Sequence, residues 1–306
     1  MPLAEAPSGV RVRVPAKVNL YLGVGDARED GFHEVTTVYQ AVGLYDEISA
    51  RPATGVSLAL TGPTSAGVPD GPENLAWRAA LALAEHAGVE ADVRIRLDKS
   101  IPVAGGMAGG SADAAGALLA CAALWHTGTS KAELLDLAAE LGSDVAFPLV
   151  GGTAMGTGRG EQLTPVLASG TFHWVFALSD FGISAGDAYR ELDRLREIGD
   201  APEPLGSPDA VLDAVRSGDC DRLTLALGND LQAAALSLRP ELEGVLDAGL
   251  EAGALAAMVS GSGPTCAFLA GNEEHAQELS LVLDRRSGKH GTRIAISPVS
   301  GARVIG

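Results

Sequence analysis

The chain has 306 residues, of which 46% are apolar and only 4% aromatic, so two domains with cores built mainly from Ala, Val and Leu are expected. A net charge of −17 argues against a general nucleic-acid binder and against a protein that binds anionic membranes. No apolar run approaches the ~20 residues that a membrane-spanning helix needs.

Cysteine usage and the first residues indicate the compartment. Cys121, Cys220 and Cys266 are far apart and odd in number, which predicts neither a disulfide framework nor a metal site. Residues 1–8 lack a basic stretch followed by an apolar one, so no signal peptide is expected. Together these features predict a cytoplasmic protein.

The first fifty residues predict the start of a sheet. Val10, Val12 and Val14 alternate with arginines, a pattern that is typical of a half-buried strand. Three further extended runs and one polar loop are predicted, the runs at residues 15–22, 35–42 and 43–48 and the loop at residues 23–31.

Helices with recognisable ends follow in the first half. Residues 75–87 lie between Asn74, which is typical of an N-cap, and Gly88, which is typical of a C-cap. Ser130 begins a capping box that opens another helix, ending near Gly142. A strand and a glycine-rich turn between two short strands are predicted at residues 93–97 and 151–160.

The second half alternates strands and helices in a split β-α-β order. Strands are predicted at residues 171–178, 255–260, 265–269 and 293–296. Helices are predicted at residues 185–198, 208–217 and 240–251 and from Asn272 to about residue 285. This order places a domain boundary near residue 165.

A glycine cluster lies in the middle of the first half. Gly105, Gly106, Gly109 and Gly110 fill four of six positions, and an alanine-rich helix is predicted after them at residues 112–125. Glycines let backbone N–H groups point inward, and a helix start adds free N–H groups and partial positive charge. The combination indicates a phosphate site, with a tight turn before a packed helix as the alternative. It matches neither the G-x-x-x-x-G-K-[ST] loop nor the G-x-G-x-x-G dinucleotide pattern.

Scarce lysines and one isolated aspartate favour phosphate chemistry. The only lysines are Lys17, Lys99, Lys131 and Lys289, and the first two lie in motif-like stretches. Asp144 follows a predicted helix end inside an apolar run. Phosphoryl transfer needs positioned cations and a group that orients the attacking hydroxyl. The alternatives are ordinary surface lysines and a turn aspartate.

Two further stretches have structural alternatives. Phe32 and His33 could form a core pair, and Ser262 with its flanking glycines could form a hairpin turn. The histidines show no metal-ligand spacing, and no G-x-S-x-G elbow supports a hydrolase.

Three stretches in chain order resemble the signature motifs of the GHMP kinase superfamily, which includes galactokinase, homoserine kinase, mevalonate kinase and phosphomevalonate kinase. They are residues 15–20 (Pro-Ala-Lys-Val-Asn-Leu), 102–112 and 259–265 (Val-Ser-Gly-Ser-Gly-Pro-Thr). The resemblance implies an α+β, two-domain fold with the site in the cleft between an N-terminal α+β domain and a C-terminal ferredoxin-like domain. With the predicted boundary, the domains are residues 1–165 and 166–306.

The resemblance also implies roles for individual residues. Asp144 corresponds to the catalytic base and Lys17 to its partner. The positions implied for ATP are Pro102, Val103, Ala104, Gly105, Gly106, Met107, Ala108, Gly109, Gly110, Ser111 and Ala112, with Lys99 and Asn74 beside the base. The positions implied for the alcohol substrate are Asn19, Phe32, His33, Tyr39 and Tyr189, within a wall that includes residues 180–189.

Four shorter stretches refine the implied reaction, at residues 30–34, 72–75, 142–145 and 229–231. They imply that the γ-phosphoryl group of ATP goes to the 2-hydroxyl of a cytidine diphosphate-linked methylerythritol in the non-mevalonate isoprenoid route. Magnesium is expected to enter with ATP; the resemblance assigns it no protein ligand, and Ser111 is a candidate. The expected partners are small molecules, without nucleic acid or membrane, and no oligomeric state is predicted.

Three alternatives remain at this point. They are a homoserine or mevalonate-type kinase, an inactive nucleotide-binding module on the same fold, and a dinucleotide oxidoreductase. The chain also departs from common family residues, since it has Phe32 for tyrosine, Ala185 for threonine, and Met107, Ala108 and Ala112 for leucine, glycine and serine.

Overall fold

The fold is known from a computed structural model that describes residues 9–286 and 290–305. The expectation that residues 1–8 hold no signal peptide lies outside the described residues. None of the described helices is long and apolar enough to cross a membrane.

Two long antiparallel strands organise the first half. They are β1 (Val10–Ala27) and β2 (His33–Pro52), in a register that places Lys17 opposite Ala41. The extended runs predicted separately are therefore continuous, and the loop predicted at residues 23–31 begins only after Ala27. Gly23 and Gly25 have low strand propensity, but the long partner strand supplies the hydrogen bonds that keep this segment extended. Irregularities in the pairing bend β1 without ending it.

Helices cover one face of this first sheet. The remaining elements of the first half are β3 (Val56–Thr61), α1 (Leu75–Ala87), β4 (Val93–Asp98), α2 (Gly109–Trp125), α3 (Lys131–Leu141), α4 (Ala146–Val150), β5 (Thr153–Thr157) and β6 (Gln162–Val166). The predicted caps of α1 are confirmed, because the Asn74 side chain accepts from the Ala76 N–H and Gly88 is left-handed. Helix α2 begins three residues before the predicted start, and α4 and β3 were not predicted. Five alanines on α2 (Ala112, Ala114, Ala115, Ala117 and Ala120) are fully buried, which lets α2 pack closely on α1 and the sheet.

The second half forms a four-stranded antiparallel sheet with helices. Its elements are β7 (Phe172–Ala177), α5 (Ala185–Glu197), α6 (Asp209–Ser217), α7 (Cys220–Ala226), β8 (Gly228–Asn229), α8 (Gln232–Leu238), α9 (Glu241–Glu251), β9 (Ala256–Val259), β10 (Cys266–Ala270), α10 (Glu273–Leu283), β11 (Thr292–Ser297) and β12 (Arg303–Val304). The strand order β11-β7-β10-β9 confirms the split β-α-β arrangement predicted for this half. Helices α7 and α8 were not predicted; they are only seven residues each.

The two halves meet along β1. Strands β8 and β12 come from the second half of the sequence, yet both pair with β1 in the first sheet. The Asp230 carboxylate, which follows β8, accepts a hydrogen bond from the backbone N–H of Val24 on β1 at 2.8 Å and so adds a further link between the halves. The predicted α+β fold with a ferredoxin-like second half is confirmed, and a cleft lies between the halves. The division at residues 165 and 166 stays a prediction.

Candidate active site

One cavity of about 620 Å³ opens between the two halves. Strand β1 contributes Lys17 and Asn19, and the segment between α3 and α4 contributes Asp144. The second half contributes the start of α5 and the turn after β9 at residues 261–262. Fourteen of the predicted site residues line this cavity: Lys17, Asn19, Phe32, His33, Tyr39, Ala104, Gly105, Gly106, Ala108, Gly109, Gly110, Ser111, Asp144 and Tyr189.

The loop at residues 101–108, here called the glycine loop, joins β4 to α2. Gly106 has a φ of 73°, and Ala104 and Ala108 are also left-handed, with φ of 49° and 58°. Ala108 is the N-cap residue of α2, and its methyl side chain cannot accept a hydrogen bond from the first turn. The first N–H groups of α2 are therefore open to a ligand at the cavity wall, as expected of an anion site.

The turn after β9 packs directly against the glycine loop. The Ser260 hydroxyl donates to the Gly106 carbonyl at 3.2 Å, and a Cβ on Gly106 would lie 1.8 Å from the Ser260 carbonyl oxygen. A Cβ on Gly261 would lie 3.0 Å from the Lys17 ammonium. Only glycine at Gly106 permits this approach, and a side chain at Gly261 would crowd the Lys17 ammonium, so the three motif-like stretches meet at one place.

Asp144 is held in the cavity by residues from the first sheet. The Tyr39 hydroxyl donates to Asp144 Oδ1 at 2.8 Å, and the Lys17 ammonium lies 3.7 Å from Oδ2. Tyr39 is itself fixed by stacking on Phe147, with ring centroids 4.9 Å apart. The Asp144 side chain keeps 35% of its surface exposed, so its carboxylate can receive a ligand.

Burial changes the acid–base behaviour of the two partners of Asp144. Burial lowers the pKa of Lys17 from its usual value, while the Asp144 carboxylate opposes that change. Burial and the same carboxylate raise the pKa of Tyr39 well above its usual value. Tyr39 therefore remains a hydrogen-bond donor at neutral pH, and the charge of Lys17 depends on its acidic neighbour.

Asn19 fixes the direction of the Lys17 side chain. Lys17 Nζ donates to Asn19 Oδ1 at 2.6 Å, and Asn19 Nδ2 donates to Thr37 Oγ1 at 2.8 Å. The Thr37 hydroxyl in turn donates to the Tyr21 carbonyl at 2.7 Å. The ammonium group is thus held by a chain of buried bonds that leads back into β1 and β2.

The opposite end of the cavity is aromatic. His33 stacks on Tyr189 with ring centroids 5.0 Å apart, and its Nε2 lies 2.8 Å from Asp193 Oδ1. Phe32 is 48% exposed, and the Arg159 guanidinium lies 4.9 Å from its ring centroid. Asp193 and Arg159 line the cavity but were not predicted, because nothing in the sequence near either residue marks it.

Six predicted nucleotide residues do not line the cavity. The Asn74 side chain already makes two hydrogen bonds within the protein. Its oxygen caps α1, and its Nδ2 donates to the Pro69 carbonyl at 2.7 Å. Lys99 is 1% exposed and paired with buried carboxylates. The other four, which belong to the glycine loop or to the first turn of α2, are Pro102, Val103, Met107 and Ala112. Direct contact of these side chains with a nucleotide stays a prediction.

No protein cage for a metal ion is present in the part of the chain that the structure describes. Within residues 9–286 and 290–305, no group of three or more His, Cys, Asp or Glu side chains could hold one. Side-chain oxygens that line the cavity include the Ser111 hydroxyl and the Asp144 carboxylate. A hard cation bound here would need phosphate and water oxygens to complete its coordination.

Two sequence profiles of one family match this chain. GHMP kinases N terminal domain matches residues 74–152, and GHMP kinases C terminal matches residues 211–290. The first match includes the glycine loop and Asp144, and the second includes the turn after β9.

Whole proteins of the same family are similar to the chain along nearly its full length. A 4-diphosphocytidyl-2-C-methyl-D-erythritol kinase of Mycobacterium tuberculosis (strain ATCC 25618 / H37Rv) is 55% identical over 300 residues, which cover 98% of this chain and 94% of that protein. A kinase of the same name from Streptomyces avermitilis is 55% identical over 296 residues, covering 97% and 99%. A crystal structure of 4-(cytidine 5'-diphospho)-2C-methyl-D-erythritol kinase superposes with a TM-score of 0.76 at 33% identity, covering 94% of this chain and 100% of that one.

Proposed function

The chain belongs to the GHMP kinases, and from this premise we propose that it phosphorylates the 2-hydroxyl of 4-diphosphocytidyl-2-C-methyl-D-erythritol with ATP as the donor. It is a small-molecule kinase. Relatives at 55% identity carry the cytidyl name, so the alternative of a homoserine or mevalonate-type kinase is not supported. The observation that carries the mechanism is that Asp144, Lys17 and the glycine loop share one cavity.

The glycine loop supplies the donors for the triphosphate. Its backbone N–H groups and the first turn of α2 lie at the cavity wall, where a helix start favours negative charge. The positive charge of Lys17 adds to this local attraction in a chain whose net charge is −17. Binding of a polyanion therefore depends on local groups and not on the overall field of the protein.

Asp144 is the base in the proposed reaction. Its carboxylate would accept the proton of the 2-hydroxyl while the alcohol oxygen forms a bond to the γ-phosphorus. The bond between the γ-phosphorus and its bridging oxygen breaks, and ADP leaves. Lys17 would keep Asp144 ionised and oppose the charge on the transferring group, and Tyr39 would orient the carboxylate.

The aromatic end of the cavity suits the cytosine. A carboxylate only accepts hydrogen bonds, so Asp193 favours the form of neutral His33 that carries its hydrogen on Nε2. Nδ1 is then an acceptor that suits the amino group of cytosine and not the carbonyl oxygen of uracil. Phe32 and Tyr189 offer ring faces for stacking.

Magnesium would enter bound to ATP, because among the described residues no group of three or more His, Cys, Asp or Glu side chains could hold it. Ser111 is the candidate protein ligand. Bound magnesium would neutralise phosphate charge during transfer.

The cellular setting belongs to the same proposal. Cys121, Cys220 and Cys266 are free, and two of them are buried, which suits a reducing cytoplasm. Small-molecule substrates, without nucleic acid or membrane as partners, fit the acidic composition. The division into domains at residues 165 and 166 is also part of the proposal.

A panel of alcohol acceptors tests the proposed reaction. Purified protein with ATP and Mg²⁺ would be assayed for ADP release with the cytidyl substrate, its uridyl analogue, homoserine and mevalonate. We expect turnover of the cytidyl substrate, and a kcat/KM lower by about 100-fold or more for the uridyl analogue. Phosphorus NMR of the product would locate the new phosphate. Turnover of homoserine or mevalonate in preference to the cytidyl substrate would contradict the assignment.

A further inference from the structure

A closed cluster of three charged side chains lies beneath the glycine loop and apart from the cavity. It consists of Asp46 on β2, Lys99 after β4 and Asp113 on α2, and is called the anchor cluster below. All three side chains are at most 2% exposed. We propose that Lys99 is a positioning residue for the nucleotide, which acts by clamping the glycine loop and makes no contact with ATP. This proposal rests on the proposed kinase function.

The ammonium group of Lys99 ties the cluster to the first residue of α2. Its Nζ lies 2.5 Å from Asp46 Oδ2 and 2.6 Å from Asp113 Oδ2. It also donates to the Gly109 carbonyl at 3.3 Å. The three bonds use all three hydrogens of the ammonium, so Lys99 has no donor left for a ligand.

Asp46 ties the same cluster to the other end of the loop. Its Oδ1 accepts from the backbone N–H of Ser100 at 2.5 Å and of Ile101 at 2.9 Å. The glycine loop, residues 101–108, begins at Ile101 and is followed directly by Gly109. The anchor cluster therefore holds both ends of the loop against β2.

Such a clamp has a physical purpose at a phosphate site. Ala104 and Ala108 have left-handed backbones, a conformation that is unfavourable for residues other than glycine and persists only where the surroundings enforce it. Backbone N–H groups stabilise a triphosphate best when they are already aimed before it arrives. Fixed loop ends reduce the number of conformations in which those N–H groups point elsewhere.

The bonds of the two carboxylates are unequal. Asp46 uses both oxygens and accepts three hydrogen bonds. Asp113 accepts one bond from Lys99, and its Oδ1 has no hydrogen-bond partner among the described residues. Asp46 is therefore the main link between the anchor cluster and the loop.

Inorganic triphosphate distinguishes a clamp from a contact with the base. We expect Lys99→Met to raise the KM for ATP about tenfold while the KM for the alcohol acceptor changes less than twofold. Inorganic triphosphate, used as a competitive inhibitor against ATP, should bind about tenfold more weakly as well. A residue that touched only the adenine would leave the triphosphate inhibition constant unchanged, and that result would overturn the proposal.

Two further variants complete the test. Lys131→Met makes the same substitution at an exposed lysine on α3. It should leave the KM for ATP and the triphosphate inhibition constant unchanged. Asp46→Asn keeps the shape of the side chain and should weaken ATP and triphosphate together; it decides the question if Lys99→Met does not fold. A folded variant that keeps wild-type affinity for triphosphate contradicts the clamp. Wild-type protein that failed to phosphorylate the cytidyl substrate would instead contradict the proposed function.

Discussion

Lys17 and Lys99 are both buried, yet their surroundings differ. Lys17 has one carboxylate at 3.7 Å and one amide oxygen at 2.6 Å, and it lines the cavity. Lys99 has two carboxylates within 2.6 Å and does not line the cavity. Burial lowers the pKa of Lys17, whereas for Lys99 its two carboxylates outweigh burial and raise the pKa.

Two buried lysines of one protein can therefore have different roles. Desolvation disfavours both ammonium groups, and the number of close acceptors decides the outcome. At Lys17 the carboxylate only partly offsets the cost of desolvating the ammonium, and the side chain lines the cavity. At Lys99 two buried carboxylates offset the cost of desolvating the ammonium, so its charge stabilises the fold. Three predictions test this comparison.

The largest effect is expected at the acid beside Lys17. Asp144→Asn should lower kcat by about 10²–10⁴-fold, because the base is lost while shape is kept. The unfolding midpoint should change little, since the Asp144 side chain is 35% exposed. Single-turnover ADP formation with the cytidyl substrate measures the first quantity and urea unfolding the second.

A surface aspartate provides the control for this variant. Asp213 on α6 has 69% of its side chain exposed, and Asp213→Asn should leave kcat unchanged. If Asp144→Asn turned over as fast as wild type, the role of Asp144 as base would be wrong. The proximity of Lys17 to Asp144 would then give Lys17 no catalytic role that distinguishes it from Lys99.

The next effect concerns stability at the two lysines. Lys99→Met should lower the free energy of unfolding by about 3–5 kcal/mol, because it leaves Asp46 buried without its counter-ion. Lys17→Met should change it by only about 1 kcal/mol or less, since Asp144 can be solvated and the desolvated ammonium is removed. Urea unfolding of both variants at one pH provides the comparison. Equal losses of unfolding free energy in the two variants would show that Lys17 and Lys99 contribute equally to stability.

The third effect is a pH dependence at Asp113. Burial raises the pKa of Asp113 to about 8 from its usual 3.8. Between these values the native state binds a proton that the unfolded state has released, so this contribution to stability falls as pH rises through the window. Asp113→Asn cannot titrate there.

The stability of Asp113→Asn relative to wild type should therefore increase from about pH 5 to about pH 8. Urea unfolding of both proteins at the two pH values measures the change. A constant difference between them would mean that Asp113 has no raised pKa, and that the anchor cluster carries two ionised carboxylates.

Local elements of the fold could be predicted because their causes are close in the chain. Asn74 caps α1 by a bond to Ala76, and Ser130 with Glu133 forms the predicted capping box. Two short strands, β5 and β6, are present near the turn predicted at residues 151–160, but β5 lies inside that range and the turn itself covers only residues 158–161. Where a partner strand decided the outcome, as for residues 23–27 in β1, the local pattern was misleading.

The candidate site was only partly accessible from the sequence. Lys17, Asp144 and the glycine loop stand in recognisable stretches, and the structure places them in one cavity. Asp193 and Arg159 were missed because each acts on a partner far away in the chain: His33 and Phe32, respectively. No spacing rule connects residues brought together by the packing of one half on the other.

By itself the sequence determined the chemical groups, the helix ends, the strand order of the second half and the family resemblance, since these depend on residue type and on neighbours. Only the tertiary structure decided that Lys17 lines the cavity and that Lys99 pairs with Asp46 and Asp113. The reason is physical: the state of a buried charge depends on how many acceptors surround it, and those acceptors arrive from distant strands and helices.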